Sequence, residues 1–245
     1  MLNNVDSPYL SVVIPAYDEE PRIGVTLEKL LAYFSGQSYT WEIIVADDGS
    51  RDRTPAIVKE WAAKDSRIKH LALPHAGKGW AVKNGMLTAC GHLRFMCDAD
   101  LAMPIYQLGG FIEKMRAGYD IVIGSRQAPG ARRFDEPAGR HVMGRVFNWT
   151  IRALAVGSFQ DTQCGFKCFR GEVAEDLFRQ QQFKGFSFDV EILHIAVRKR
   201  LRILDMPIDW YHQKASKVRP FIDSFAMLKD TLSLRVRDIR KKRKY

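Results

Sequence analysis

The 245-residue chain has only four cysteines, Cys90, Cys97, Cys164 and Cys168, and none is spaced as CxxC. No histidine stands at zinc-finger distance from them, so a zinc finger and a CxxC redox centre are excluded. Cys164 and Cys168 read as inward positions of a strand, and buried thiols of a reducing cytosol are expected. No apolar run approaches the roughly 18 to 20 residues that a membrane-crossing helix needs, so any membrane contact is expected to be peripheral. The opening "MLNNVDSPYL" has no cationic-then-apolar leader. A P-loop is also missing: "GKGWAVKNG" lacks the GxxxxGK[ST] spacing. No internal repeat or interdomain linker interrupts the sequence.

What is present suits a packed globular protein, with 46% hydrophobic and 11% aromatic residues. Acidic residues are the scarcer charge: 38 Lys and Arg stand against 28 Asp and Glu, a net charge of +10. That balance favours an anionic partner. Residues 229–245 hold eight of the basic and two of the acidic side chains, so six of the ten net charges lie there. The concentration argues against a uniformly basic nucleic-acid sleeve, and no nucleic-acid partner is expected.

Short apolar runs alternate with segments of helical spacing. "YLSVVIP" is followed by "RIGVTLEKLLAYF", with apolar positions Ile23, Leu27, Leu30, Leu31 and Phe34 on one face. "WEIIVADDGS" and "RIKHLAL" flank the helix "DRTPAIVKEWAAK", and Pro55 suits its first turn. A further helix from "GWAVKNGMLTAC" leads to the strand ending in "CDAD"; then come a helix from Pro104 to Met115 and the strand "YDIVIGSR". This alternation predicts an α/β fold with a mostly parallel sheet flanked by helices. Residues 127–140 read as a mobile loop. "DTQCGFKCF" reads as a strand, 171–181 and 188–200 as helices, and "LRILDMPIDW" as a final strand. One domain is expected over 1–219, with an amphipathic basic helix over 220–245.

Ligands of open α/β sheets bind beyond the carboxyl ends of the strands. Three strands end there in acidic groups: "PAYDEE", "ADDGS" and "CDAD". An acidic crevice in a basic protein suits a cation, and through it an anion. Asp98 and Asp100 are two apart, so one can reach a divalent metal while the other bonds a sugar hydroxyl. Oxygen ligands suit Mg²⁺ or Mn²⁺ bridging a diphosphate. By charge alone, two solvated turn residues remain the other reading of this pair.

"VVIPAYDEE", "IIVADDGSRDRT", "GKGWAVKNG", "CDADLAMP", "VIGSR" and "DTQCGFKCF" occur in this order. Together they resemble the family 2 glycosyltransferases, which have the GT-A (Rossmann-like) fold. "DTQCGFK", "FDVEIL" and "SKVRPF" resemble the dolichyl-phosphate glucosyltransferase branch, with the mannose synthases close by. The resemblance covers residues from about 10 to 238. It implies inverting transfer of a hexose, glucose before mannose, from UDP-glucose or GDP-mannose to a polyprenyl phosphate. By the same resemblance Pro15, Tyr17 and Glu19 line the nucleotide pocket, Ala46 contributes backbone and Asp48 binds the base. Asp98 with Ala99 holds sugar or ribose, and Asp100 is the main metal ligand with Asp98 beside it. Arg126 and Lys217 face phosphates.

Two positions depart from the pattern. Ala102 stands where mannose synthases can carry a further oxygen ligand, and Tyr211 stands where they carry an Arg. Asp161 and Asp189 are candidates to orient acceptor or sugar, or else cap a turn and start a helix. Lys78 either approaches the ligand or is solvated. His75 is given no role.

At 100° per residue Phe221, Phe225, Leu228, Leu232, Val236 and Ile239 form one stripe ending in a basic cluster. Such a helix either lies on an anionic membrane surface, placing the protein peripherally at its cytoplasmic face, or packs on the domain. The absence of QxxRW and of membrane spans argues against a processive polysaccharide synthase. A transferase for a soluble or polysaccharide acceptor, a nucleic-acid-binding module and a non-catalytic sugar-nucleotide sensor remain as alternatives.

Overall fold

In the computed structural model, residues 7–135, 159–213 and 227–234 are described. A seven-stranded sheet is built from β1 (Leu10–Ala16), β2 (Trp41–Asp47), β3 (Ile68–Ala72), β4 (Leu93–Met96), β5 (Ile121–Ser125), β7 (Lys167–Arg170) and β8 (Ile203–Pro207). Its order is β3-β2-β1-β4-β7-β5-β8. All pairs are parallel except those of β7, which runs antiparallel to both β4 and β5. Every residue of β1 and β2 is buried, as unbroken apolar runs require when both sheet faces are covered.

Alternation along β1 sorts the core into two layers. Leu10, Val12 and Ile14 meet α1 (Ile23–Ser35) and α4 (Leu108–Arg116), where Ile23, Leu27, Leu30, Phe34 and Phe111 are buried. Val13 faces the other layer with Ile44 and Met96, under α3 (Lys78–Thr88), α5 (Gly171–Gln180) and α6 (Phe188–Arg198). The helix α2 (Thr54–Lys64) packs beside α1 and carries the expected Pro in its first turn.

Four details differ from the sequence reading. The stretch expected as a loop contains β6 (Arg132–Phe134), which pairs in parallel with β9 (Asp209–Tyr211). The single closing strand is thus two, β8 and β9, separated at Ile208. The "DTQCGFKCF" strand begins only at Lys167, because the preceding residues turn around Asp161. Cys90 is exposed, although Cys97, Cys164 and Cys168 are buried and all four are free thiols. Burial pushes the Cys164 and Cys168 thiols up to about 12.

Of the expected C-terminal helix, 227–234 is helical and the remainder lies outside the described residues. This turn docks on the domain through Met227, Thr231 and Leu234, all buried. Ser187 Oγ donates to Asp230 at 2.6 Å and adds a polar tie. The docked face lies roughly 115° around the helix from Leu228 and Leu232. Leu232 is 46% exposed and Leu228 is half-buried, so within 227–234 the face that packs on the domain is not the one carrying these two leucines. Among the described residues no helix is long and apolar enough to cross a membrane.

Candidate active site

The carboxyl ends of β1, β2 and β4 lie side by side, because β1 pairs with both neighbours. Pro15 and Ala46 are register partners at this end and both are buried. The loops beyond them are stitched together. Asp18 N–H donates to Ser50 Oγ while Asp18 Oδ1 accepts from Arg51 N–H. Glu20 N–H donates to Asp52 while Glu20 Oε2 accepts from Arg53 N–H. Two acidic residues of "YDEE" are thereby used to fix the loop. Glu19 between them pairs with Arg22 at 2.6 Å, and its N–H donates to Thr54.

Asp48 is only 3% exposed. Its carboxylate accepts from the backbone N–H groups of Ala76 and Gly77, both at 2.9 Å. The His75 Nδ1 lies 2.8 Å from the same carboxylate, and the His75 ring stacks on Tyr17 with centroids 4.3 Å apart. The structure therefore gathers Tyr17, Asp48 and His75 in one corner. His75 carries no recognisable motif; only its place just after β3 could have pointed to it. Behind this corner Asp47 accepts from His70 and from Ser50 N–H.

The β4 strand stops at Met96, so Asp98 and Asp100 lie on the turn that follows. Leu101, at φ 43°, carries the chain through that turn. Ala99 is buried, and its carbonyl accepts from Thr26 Oγ1, which ties the turn to α1. Asp98 Oδ1 lies 2.6 Å from Lys78 Nζ. Lys78 opens α3 on Gly77, whose φ of +114° suits glycine. A Cβ on Gly79 would come within 2.8 Å of the Phe183 and Gly185 carbonyls. The glycines of "GKG" thus let the 181–186 loop close on the helix end, where Trp80 N–H donates to Lys184 O. Glu191, buried in α6, fixes that loop by accepting from the N–H groups of Gln182 and Phe183.

Two further ion pairs flank the acidic turn. Arg126, just past β5, binds Asp161 through Nε at 2.6 Å and Nη2 at 2.8 Å, and its N–H donates to the same carboxylate. Lys167 of β7 binds Asp189 at 2.6 Å and also donates to the Cys164 carbonyl. Lys167 is 2% exposed and carries no role in the sequence reading, although it stands inside a quoted motif. Both acidic candidates are thus engaged by cations. Lys217 lies outside the described residues.

The electrostatics follow from this pairing. Burial works against a charged Asp98, but Lys78, Lys167 and Arg126 outweigh it and hold the carboxyl below the usual range. Burial likewise opposes a charged Asp161, yet Arg126 and Lys167 hold it low. Asp189 is pushed up, because its burial exceeds what Lys167 and Lys78 return. Asp100 is pushed up too, first by burial and then by Asp98. Its side chain accepts from Ala102 N–H at 3.1 Å, and among the described residues it has no ion-pair partner. Among the described residues Lys78, Arg126 and Lys167 pair with Asp98, Asp161 and Asp189, while Asp100 forms no ion pair and feels Lys78 and Arg22 only through space.

Among the described residues no group of three or more His, Cys, Asp or Glu side chains is arranged to hold a metal by itself. The uncompensated Asp100 beside Asp98 nevertheless fits a hard divalent cation, with other oxygen ligands supplied by a bound diphosphate.

Residues 11–178 match the family model described as Glycosyl transferase family 2. A dolichyl-phosphate beta-glucosyltransferase of Dictyostelium discoideum is 34% identical over 255 residues, covering 96% of this chain and 76% of the relative. One from Trichomonas vaginalis is 36% identical over 223 residues, covering 86% of this chain; the chain spans 66% of that relative's length. Among solved structures, glucosyl-3-phosphoglycerate synthase of Mycobacterium tuberculosis, in complex with Mn²⁺ and uridine-diphosphate-glucose, superposes with a TM-score of 0.64. It is 19% identical, and the match covers 92% of this chain and 79% of that one, which establishes the shared fold. The sheet order, the acidic turn after β4 and these matches lead to one conclusion: the chain belongs to glycosyl transferase family 2.

Proposed function

We propose that the protein is an inverting hexosyltransferase that moves glucose, or less favourably mannose, from a nucleotide-sugar to a polyprenyl phosphate such as dolichyl phosphate. The observation that carries this reading is the Asp98–Asp100 turn. It sets one cation-paired carboxylate and one that has no ion-pair partner among the described residues at the carboxyl end of β4, in a mostly parallel sheet. The naming of the Dictyostelium and Trichomonas relatives as dolichyl-phosphate beta-glucosyltransferases supports the acceptor and the sugar.

The nucleotide lies over the ends of β1 and β2. Pro15 and the Ala46 backbone form its floor, Tyr17 packs on it and Glu19 accepts ribose hydroxyl bonds. Asp48 fixes the loop that faces the base. Asp98 and the Ala99 backbone hold sugar or ribose. Asp100, with Asp98 beside it, holds Mg²⁺ or Mn²⁺. When bound, such an ion neutralises charge on the departing diphosphate. The Mn²⁺ and uridine-diphosphate-glucose of the mycobacterial structure support this use of the fold. Lys78 stands beside Asp98, where it can stabilise the same leaving group.

An oxygen of the acceptor phosphate attacks the anomeric carbon as the bond to the diphosphate oxygen breaks on the opposite face. The acceptor is already ionised at neutral pH, so no strong general base is required, only alignment. Asp161 and Asp189 serve that alignment through their cations. Asp161 aims Arg126 at a phosphate and Asp189 anchors Lys167 beneath the site. Lys217 completes the phosphate contacts from the C-terminal segment. The protein works peripherally, at the cytoplasmic face of a membrane that holds its acceptor.

The test incubates the protein with Mg²⁺ or Mn²⁺, radiolabelled UDP-glucose or GDP-mannose, and polyprenyl phosphate. Label entering the organic phase from UDP-glucose is expected. Transfer to soluble sugars with none to lipid would overturn the acceptor assignment.

A further inference from the structure

We propose that Lys167 is a positioning residue for Asp98: its buried ammonium ties the Cys164 carbonyl to Asp189 and so seats the 161–166 turn, through Gly165, against the Asp98 carboxylate. The inference rests on the reading of Asp98 as a sugar- or metal-facing group and deepens it by naming what fixes that group in place.

Topology brings Lys167 to the crevice. β7 runs antiparallel to both β4 and β5. Its first residue, Lys167, is the register partner of Met96, the last residue of β4. A parallel strand would present its last residue at this end of the sheet. The reversed strand presents its first, together with the turn that precedes it, and that turn meets the one carrying Asp98.

Lys167 is 2% exposed, and a buried ammonium needs acceptors around it. Its Nζ lies 2.6 Å from Asp189 Oδ1 in α6 and also donates to the Cys164 carbonyl. One side chain thus joins a helix to the turn. Asp161 pins the start of the same turn by binding the Arg126 guanidinium, and the Phe166 carbonyl pins its end by accepting from Gly124 N–H. Cys164 and Gly165 lie between these fixed points, where Lys167 supplies the tie.

Gly165 passes that tie to Asp98. A Cβ on Gly165 would stand 2.0 Å from Asp98 Oδ2 and 2.8 Å from Oδ1, so the bare backbone lies in contact with the carboxylate. On its other side Oδ1 meets Lys78 Nζ at 2.6 Å. Asp98 stands on a turn, where a side chain is otherwise free to change rotamer. Lys78 holds it by charge and Gly165 by contact, and the contact lasts only while Lys167 keeps the turn in place.

The test is a double-mutant cycle on kcat for transfer to polyprenyl phosphate, with Mn²⁺ and the donor that the wild-type protein uses. One arm is Lys167→Met combined with Asp189→Asn, which removes both buried charges together. The other arm is Gly165→Ala, which displaces Asp98 directly. Each arm alone is expected to lower kcat about 100-fold, as misplacement of a reacting group by about 1 Å does. Because both act through one carboxylate, all three substitutions together should be no more than about threefold slower than the slower arm. A lysine that merely supports the fold acts independently of Gly165, so the losses would multiply to roughly 10,000-fold, and the proposal fails. It fails equally if the charge-free arm keeps the parent kcat. Thermal melts confirm that each variant is folded. Should the charge-free arm not fold, Lys167→Gln replaces it in the same cycle with the same outcomes, since its amide still offers a donor but is one bond shorter. Wild-type protein that transfers no sugar to polyprenyl phosphate overturns the reading of the site itself, and the proposal with it, an outcome distinct from a multiplicative cycle.

Discussion

Lys78 Nζ lies 2.6 Å from Asp98 Oδ1, although the two residues belong to different crossovers of the sheet. The lysine comes from the first turn of α3 and the aspartate from the turn after β4. Lys78 thus enters the acidic crevice as the counter-charge of Asp98, the carboxylate proposed to face sugar or metal.

Replacing Lys78 by Met should therefore damage chemistry more than folding. A cation stabilising a leaving diphosphate is worth about 100-fold or more in kcat when removed. Steady-state transfer assays beside a thermal melt check this. A normal kcat in Lys78→Met would leave the lysine a purely structural partner of Asp98.

Gly165 packs its Cα against the Asp98 carboxylate, and a Cβ there would overlap Asp98 Oδ2. Gly165→Ala must push that side chain aside. A shift of about 1 Å in a positioning group can cost about 100-fold in rate. The displaced group is the end of a flexible side chain, so the fold is expected to survive. Circular dichroism and turnover, measured together, separate the two effects.

Asp100→Asn should abolish Mn²⁺ binding without harming stability. The folded protein raises the pKa of this carboxyl, so folding penalises its charged form. That penalty is present above the folded pKa and fades as pH falls through it. The Asn variant should melt at the same temperature as the parent or higher at neutral pH, and the difference should vanish in acid. Electron paramagnetic resonance of free Mn²⁺ reads the binding; a variant that retains the ion would move the metal site elsewhere.

Asp161→Asn should behave in the opposite way. Arg126 and Lys167 hold this carboxyl below its ordinary range, so its charge contributes stability above the unfolded pKa. The contribution is lost as pH falls through the folded pKa. Breaking such a buried pair costs about 3 to 5 kcal/mol, and less here because Arg126 keeps some solvent contact. Chemical denaturation at neutral pH should show the loss, and repeating it in strong acid should show the two proteins converging.

The helical turn 227–234 allows two faces to be tested separately. Leu234→Ala should destabilise by about 2 to 4 kcal/mol, since Leu234 is buried in the core layer under α6. Leu232→Ser should fall within about 0.5 kcal/mol of the parent, because that side chain is half exposed. Sedimentation with anionic vesicles then asks whether the outer stripe meets lipid. If Leu232→Ser binds vesicles as well as the parent, that face does not contact the membrane.

Much of the architecture is written locally. The unbroken apolar runs of β1 and β2 and the spacing of Ile23, Leu27, Leu30 and Phe34 announce strand, helix and burial without reference to any distant residue. The placing of acidic residues after three strands, together with the order of the motifs, was enough to locate the crevice and to suggest its chemistry. Strand direction is less legible. β7 reads like its neighbours yet runs antiparallel, because direction depends on the path of the preceding chain and not on side-chain pattern. The pairing of β6 with β9 was hidden for a similar reason: each is three residues long, and the two lie far apart in sequence.

Partner choice is where the amino-acid sequence falls silent. Alone, it determined the α/β order, the acidic strand ends and the family, since periodicity, strand-end chemistry and motif order are properties of short stretches. Only the tertiary structure decided that Asp161 answers Arg126, Asp189 answers Lys167 and Asp98 answers Lys78, leaving Asp100 with no ion-pair partner among the described residues. It also brought His75 onto Tyr17. Charge compensation and ring stacking act over a few ångströms in space, and which residues come that close depends on how the whole sheet closes.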